Sequence, residues 1–351
     1  MRGPRLTEIS KKNVAAVLRF SQNAEFARKY LEQGIRVRTF PETLVKYSGI
    51  SDLAALRDTL RQKLLGMTGE PSADSLRRKV DMWLNGKTAP ENREQLIRIC
   101  FALDMSEQDA QNFLATAGEG CLHRRNPVEL AYLFALRNHL SYDDALRLIE
   151  RIRPITMGGE GETELIGEKF ESVKGEEAFV RFVNEERLNL GEMHNTAFYY
   201  FERYLDVLAN PDASFMDEAE KTYSVRDIVQ MYLALPGGGS GVLVKALRKH
   251  WPDEATLSRI VNRRIDVPRK VLTLLFLTTD GADGSELETD DPRKLFVDRY
   301  RRCNEMLDDC GYSQLDPRSV FDWLAIYCMY VTEDNDSNAL MQEVLRDVFS
   351  R

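Results

Sequence analysis

Apolar residues along most of this chain recur three or four positions apart, which is the spacing of one face of an α-helix. The segment after Asn92 is representative, because Asn92 can cap a first-turn amide and Gln95 can reach back to complete the capping pair. Its apolar positions are Leu96, Ile99, Cys100 and Leu103. The pattern predicts a helix that starts at Asn92 and packs one face on a core.

Capped helix starts of this kind recur along the chain. Asn126 is followed by Pro127 and Glu129, which supply a cap, a proline at the first helical position and an acid at the third. Other starts are predicted at Ser106 and Ser141, and a glycine stop is predicted at Gly118. Only residues 271–278 are strand-like, and they lie in a helical context. The chain is therefore predicted to be all-α.

Two glycine-rich stretches divide the helical pattern. Residues 157–162 are typical of a linker, and residues 236–241 of a loop between helices. Between them, Glu176–Leu208 is rich in Phe and Tyr and is predicted to be a helical connector whose aromatic side chains are core rather than a stacking platform. The predicted parts are an N-terminal helical segment (1–40), a first module with a helical tail (41–155), the linker and connector (156–221) and a second module (222–351).

The two modules are predicted to be copies of one helical unit. Residues 113–129 align with residues 306–322, and upstream Arg93 aligns with Arg269. The matches are Gly118 with Gly311, Leu122 with Leu315, Arg125 with Arg318, the caps Asn126 and Ser319, and the acids Glu129 and Asp322. The alternative is chance similarity between two capped helical hairpins. Duplication implies two similar modules joined by the connector.

One stretch of the first module has the composition of a DNA-reading helix and its exit turn. It contains the basic residues Arg77, Arg78 and Lys79 and the apolar residues Val80 and Trp83. The helix stop Asn85-Gly86-Lys87 follows, and then Pro90. This stretch resembles the third helix and exit turn of lambda-repressor-like helix-turn-helix proteins, the Cro/repressor family, of bacterial type. The resemblance covers residues 41–117 and implies a sequence-specific DNA-binding transcriptional regulator.

The resemblance assigns roles to particular side chains. A recognition helix presents polar donors from its N-terminal part to the major groove, and arginine is suited to guanine O6 and N7. Lys87, one residue beyond the glycine stop, is placed to contact a phosphate. By analogy Asp81 and Met82 lie near the bases or the groove wall. The implied DNA-binding residues are Arg77, Arg78, Lys79, Asp81, Met82 and Lys87.

The sequence departs from the family in the turn before this helix. The family uses a turn of about three or four residues, whereas here Leu53–Leu65 is predicted as the second helix and residues 66–74 as a loop. A protrusion of this length could obstruct the groove. The second module has fewer hydrogen-bond donors, because Arg259 is the one long basic residue of its corresponding helix. It is interpreted as a degenerate copy used for dimerisation or partner contact.

The net charge of −8 is unevenly distributed. Residues 1–155 contain 25 Lys and Arg against 19 Asp and Glu, a net charge of +6, whereas residues 156–351 contain 23 against 37, a net charge of −14. Double-stranded DNA is therefore expected to meet the first half. The acidic half is expected to contact a second copy, an effector or a protein partner.

No motif proposes an enzyme, a cofactor or a metal. Residues 237–241 lack the Gly-Lys-Ser/Thr of a phosphate loop, and there is no Gly-x-Ser-x-Gly. The four histidines stand singly: His123, His139, His194 and His250. No apolar run reaches about 18 residues, and the first residues lack an apolar signal core. With five cysteines and no Cys-x-x-Cys, the expectation is a cytoplasmic protein with reduced, buried thiols and no membrane contact.

Two functions remain compatible with these patterns. The first is a DNA-binding regulator, which predicts a continuous positive surface around Arg77, Arg78, Lys79 and Lys87. The second is a helical scaffold or adaptor for protein partners, whose helix-turn-helix-like module does not bind DNA. In this interpretation the three basic residues form a solvated face that binds no DNA, and an apolar groove is predicted as the partner site.

Overall fold

The structure is a computed structural model that describes residues 24–33, 39–67, 72–90, 92–117, 120–152, 163–191, 193–210, 223–280, 291–317, 319–330 and 336–350. These residues form helices and no strand, which confirms the all-α prediction. The chain divides into two compact units. The central unit is residues 38–193, and the C-terminal unit is residues 194–351 together with residues 1–37.

The helices of the central unit are α2 (Phe40–Ser48), α3 (Leu53–Leu65), α4 (Ala73–Leu84), α5 (Arg93–Ala102), α6 (Glu107–Ala117), α7 (Pro127–Arg137), α8 (Tyr142–Arg151), α9 (Thr163–Glu171) and α10 (Glu176–Glu185). Those of the C-terminal unit are α1 (Ala24–Gln33), α11 (Asn195–Ala209), α12 (Val225–Ile228, continued by a π-helix over Val229–Leu233), α13 (Val242–Arg248), α14 (Glu254–Val261), α15 (Arg269–Thr279), α16 (Pro292–Asp309), α17 (Val320–Cys328) and α18 (Ser337–Phe349).

Local caps set the helix starts where the sequence predicted them. The Asn92 side chain accepts from the Gln95 amide at 2.9 Å, and the Ser106 hydroxyl accepts from the Asp109 amide at 3.1 Å. Asn126 accepts from two first-turn amides of α7. These side chains satisfy amides that have no partner within the helix. The helix limits in this part of the chain therefore follow from neighbouring residues.

The predicted aromatic connector is divided between two cores. Phe179 of α10 is buried in the central unit, where its ring stacks on Phe134 at a centroid distance of 4.6 Å. Phe201 and Tyr204 of α11 are buried in the core of the C-terminal unit. The predicted domain limits after residues 155 and 221 consequently do not coincide with the two units. Each amphipathic helix buries its apolar face on its own neighbours, so the aromatic run does not form one element.

A partly buried arginine closes a loop of the central unit. Arg93 Nε donates to Glu129 Oε1 at 2.9 Å, and its Nη atoms donate to the main-chain carbonyls of Gly120 and Cys121 at 3.2 and 2.7 Å. The His123 amide donates to the same carboxylate. We call Arg93 with Glu129 the central clamp, because it joins α5, α7 and the loop between α6 and α7.

The C-terminal unit contains a clamp with the same connections. Arg269 bonds both carboxylate oxygens of Asp322 at 2.8 and 2.9 Å and the carbonyls of Ser313 and Gln314 at 2.7 and 3.1 Å. The Asp316 amide donates to the Asp322 carboxylate at 2.9 Å. We call Arg269 with Asp322 the C-terminal clamp. The internal alignment pairs the two arginines and the two acids, but it does not indicate that each arginine bonds the acid of its own unit.

A further bond recurs inside the clamped loops. The amide of buried Leu122 donates to Gln111 Oε1 at 2.6 Å, and the amide of buried Leu315 donates to Asn304 Oδ1 at 2.8 Å. Gly311 lies two residues after the end of α16, with a φ of 72°, and is not inside a helix. The aligned Gly118 and Arg318 lie outside the described residues. The matched bonds support the duplication hypothesis.

Candidate nucleic-acid interface

The predicted reading helix, α4, buries one stripe and exposes the opposite one. Its buried residues are Leu76, Val80, Trp83 and Leu84. Successive helical residues are about 100° apart, so Arg78 lies on the side opposite Leu76 and Val80. Arg77 and Lys79 lie about 100° to either side of Arg78. The three basic side chains therefore span the outward surface of α4.

These three basic residues, which we call the basic triad, have no side-chain partner among the described residues. Arg77 and Arg78 are exposed and Lys79 is half-buried. None of the three makes an ion pair or a side-chain hydrogen bond within the described ranges. Arginine carries five N–H donors and lysine three, so this surface presents many cationic donors. Such a surface attracts a polyanion.

The left-handed stop predicted after this helix is present. Gly86 has a φ of 67°, a conformation that residues with a Cβ rarely adopt. Its amide donates to the Trp83 carbonyl, and the Lys87 amide donates to the Met82 carbonyl, both at 3.0 Å. The turn fixes where Lys87 leaves the helix. The Lys87 side chain is exposed and makes no ion pair within the described part of the chain.

Asp81 and Met82 have different surroundings from the basic triad. Asp81 forms ion pairs with Arg61 at 2.6 Å and Arg57 at 3.1 Å, so its carboxylate connects α4 to α3. Met82 is 42% exposed. Sequence reasoning missed both arginine partners. The signal was their spacing of one turn on α3, but spacing alone does not identify the acid that they meet.

The connection between α3 and α4 is longer than the tight turn of the resembled family. α3 ends at Leu65 and α4 begins at Ala73, and residues 68–71 of the predicted loop lie outside the described residues. The predicted limits of α3 are confirmed. The departure from the family noted in the sequence therefore persists in the structure.

The C-terminal unit repeats the helix stop of α4. α14 ends at Val261 with Asn262 as its C-cap, and Arg263 takes the left-handed position with a φ of 53°. The Arg263 amide donates to the Ile260 carbonyl and the Arg264 amide to the Arg259 carbonyl, both at 2.8 Å. These are the same two bonds that form the stop of α4. The Arg263 guanidinium stacks 4.1 Å from the centre of the Phe198 ring.

The donors of α4 are not repeated in α14. When the two stops are aligned, Glu254, Ala255 and Thr256 occupy the positions of the basic triad. A glutamate at the first of these positions would repel phosphate rather than bind it. Arg259 is exposed elsewhere on the helix. The two units therefore share a backbone feature but differ in the charge at the outward surface.

Lys270 of α15 anchors the end of α13 in the C-terminal unit. Its Nζ donates to the carbonyls of Leu247 at 3.3 Å and Lys249 at 2.5 Å, and it lies 4.7 Å from the centre of the Phe321 ring. Burial lowers the pKa of Lys270 to about 8. The side chain therefore holds the segment between α13 and α14 at the cost of desolvating an ammonium group.

This lowered pKa predicts that Lys270 makes stability rise with pH above about 8. The unfolded chain keeps the ordinary lysine pKa of 10.5, so between these values the unfolded state binds more protons than the folded state. The free energy of unfolding of the wild type, minus that of Lys270→Met, should increase by on the order of 1 kcal/mol per pH unit there. Urea unfolding at pH 7, 8, 9 and 10 measures it. A difference that stays flat would contradict the prediction.

The described residues contain no group of three His, Cys, Asp or Glu side chains placed to hold a metal ion. Sequence reasoning missed one partly buried pair, in which His194 Nδ1 and the His194 amide both bond the Asp266 carboxylate at the start of α11. Burial raises the pKa of the thiols of Cys100, Cys303 and Cys328. No helix in the described ranges is long and apolar enough to cross a bilayer.

Comparisons with protein-family models, with curated proteins and with solved structures gave no match. The likeness to lambda-repressor-like proteins therefore remains a resemblance that rests on the residues of α4 and its stop.

An open groove with a volume of about 510 Å³ lies along α11 in the C-terminal unit. It is lined by Phe198, Tyr199, Phe201, Glu202, Arg203, Leu205, Asp206, Ala209 and Val261. Tyr199 is 59% exposed and Val261 is 42% exposed. Exposed apolar side chains beside a groove are typical of surfaces that contact other proteins.

Proposed function

We propose that this protein is a sequence-specific DNA-binding regulator that reads duplex DNA with α4. The basic triad carries the proposal, because its long donors lie on the outward side of a helix whose other side is packed. The major groove admits an α-helix, and a guanidinium can bond guanine O6 and N7 together. Lys87 adds a cation just beyond the helix stop, where a phosphate contact would orient α4.

The C-terminal unit has a different role in this proposal. Its α14 carries Glu254 where α4 carries Arg77, so its corresponding surface is unsuited to DNA. The C-terminal unit would support dimerisation, an effector or a protein partner. Dimers of helix-turn-helix proteins read two half-sites, which raises specificity beyond that of one helix.

Sequencing of genomic DNA fragments retained by the purified full-length protein tests the proposal. Enrichment of a shared site would support a regulator, and that site then becomes the probe for variants. Retention of all fragments alike would leave charge attraction without base reading. A protein that retains no duplex even at low salt would contradict the proposal.

Two variants are expected to weaken binding in different ways. Arg78→Ala should cost about 1–3 kcal/mol on the selected site and relax preference at one base position. Lys87→Ala should weaken binding to every sequence and reduce the salt slope by about one unit. Salt titrations on selected and random duplexes measure both, with Arg259→Ala of α14 as the control. If both variants bind like the wild type, α4 is not the reader.

A helical scaffold or adaptor is the second candidate, and the groove along α11 favours it. An amphipathic helix from a partner could place its apolar side in such a groove. Tyr199→Arg would then remove partner binding, whereas Arg78→Ala would leave it unchanged. The regulator predicts the opposite dependence for DNA.

A further inference from the structure

Two arginines of α3 share one carboxylate oxygen beside the reading helix. Arg61 Nη2 hydrogen-bonds Asp81 Oδ1 at 2.6 Å, and Arg57 Nε lies 3.1 Å from the same oxygen. The Arg57 Nε–H is not directed at that oxygen, and Arg57 Nε and Arg61 Nε are buried atoms without a hydrogen-bond partner among the described residues. We call Arg57, Arg61 and Asp81 the α3–α4 cluster.

The α3–α4 cluster has more cationic donors than its acid can use. Two guanidinium groups carry ten N–H donors, whereas Asp81 offers one oxygen to both. Asp58 lies 4.0 Å from Arg61, but its side chain is 80% exposed, so solvent weakens that pair. The arginine side chains are 33% and 26% exposed, which keeps part of each within reach of a ligand. Because the two Nε atoms are buried, the donors left for a ligand are Nη N–H groups. These groups fit a phosphate, which guanidinium binds with parallel bonds.

The α3–α4 cluster lies on the same flank of α4 as part of the basic triad. Asp81 follows Arg77 by four residues, so the two lie about one helical turn apart on neighbouring faces. In helix-turn-helix complexes the helix before the reader crosses the sugar-phosphate backbone. An anion site on α3 next to the outward surface of α4 is therefore placed for a backbone phosphate.

We propose that Arg57 and Arg61 form a phosphodiester-binding subsite for the same DNA that α4 reads. Asp81 orients the two guanidinium groups in the free protein, and a phosphate takes the donors that Asp81 leaves unused. The subsite rests on the proposed DNA-binding function and extends it to α3. It also changes the role implied for Asp81, which becomes a positioning residue that limits non-specific affinity and does not touch a base.

Salt titration of the full-length protein on a random-sequence duplex tests the subsite. Each phosphate contact contributes about 0.9 to the slope of log affinity against log salt concentration. Arg57→Ala and Arg61→Ala should each reduce the slope by about that amount. Lys63→Ala is the matched control, because Lys63 is an exposed basic residue of α3 that lies on a different side of the helix from Arg57 and Arg61. It should leave the slope unchanged.

Asp81→Asn separates binding from support of the fold. It removes the acid that competes with phosphate, so affinity for random duplex should increase and the slope should steepen. A purely structural brace predicts the reverse, since α4 would lose its connection to α3 and binding would weaken. Urea unfolding of the same variant establishes that it is folded under the binding conditions.

The outcomes distinguish this subsite from the DNA-binding proposal itself. If Arg57→Ala and Arg61→Ala keep the wild-type slope while Arg78→Ala loses the selected site, the subsite is overturned and α4 remains the reader. A folded Asp81→Asn protein that binds more weakly also overturns it. If the wild type binds no duplex at low salt, both proposals fail. Reduced slopes for the two arginine variants, with an unchanged Lys63→Ala, support the subsite.

Discussion

Exchange of the basic triad for the residues that α14 carries at the same positions should abolish specific DNA binding. The variant is Arg77→Glu, Arg78→Ala and Lys79→Thr. Loss of two arginine base contacts costs about 1–3 kcal/mol each, and the glutamate adds repulsion from the phosphates. Together these effects predict at least about a 100-fold loss of affinity at constant salt. Binding isotherms on the selected duplex measure it.

The chain offers a control with the same change in net charge. The C-terminal unit has three exposed basic residues that serve this purpose: Lys245, Arg259 and Arg264. The control variant is Lys245→Thr, Arg259→Glu and Arg264→Ala, which repeats the three types of substitution away from α4. This control should bind nearly as well as the wild type. Equal losses in the two triple variants would mean that binding depends on total charge and not on the surface of α4.

Loss of the C-terminal clamp should produce the largest change in stability. The Asp322 side chain is only 5% exposed, and its carboxylate accepts two bonds from Arg269. Asp322→Ala leaves the Arg269 guanidinium largely buried without its counterion. Removal of one partner from a buried pair costs about 3–5 kcal/mol. The midpoint of urea unfolding of the C-terminal unit should fall accordingly.

The central clamp provides the comparison. The Arg93 and Glu129 side chains are 28% and 16% exposed, so water partly compensates when the pair is broken. Glu129→Ala should therefore cost less than Asp322→Ala. A double variant with Arg269→Met and Asp322→Leu should recover part of the loss, because no unpaired charge remains. Additive losses in that double variant, or a negligible effect of Asp322→Ala, would contradict this account of the clamp.

The duplication hypothesis gains most from the comparison of the clamps. The alignment paired Arg93 with Arg269 and Glu129 with Asp322 from residue types alone. In the structure each arginine binds the acid of its own unit and the carbonyls of the loop between them. A matched network of side-chain and main-chain bonds is a stronger similarity than two capped helices. The bonds themselves were not predictable, because neither residue identifies its partner.

The capped helix starts and the stop of α4 follow from the sequence because the interactions that set them are local. Asn92 and Asn126 cap amides two or three residues away, and the stop at Gly86 needs only the turn before it. Apolar spacing likewise identified the buried stripe of α4, since one helix period determines which residues share a face. These features would be the same in any arrangement of the helices.

Only the tertiary structure decided which distant groups meet. Arg61 and Asp81 are 20 positions apart, Arg269 and Asp322 are 53 apart, and each charge had many possible partners along the chain. The aromatic residues of α10 and α11 formed one run in the sequence, yet they are buried in different cores. Burial of an amphipathic face requires some apolar partner but does not specify which one. The choice depends on how all the helices of a unit pack together, which no local pattern encodes.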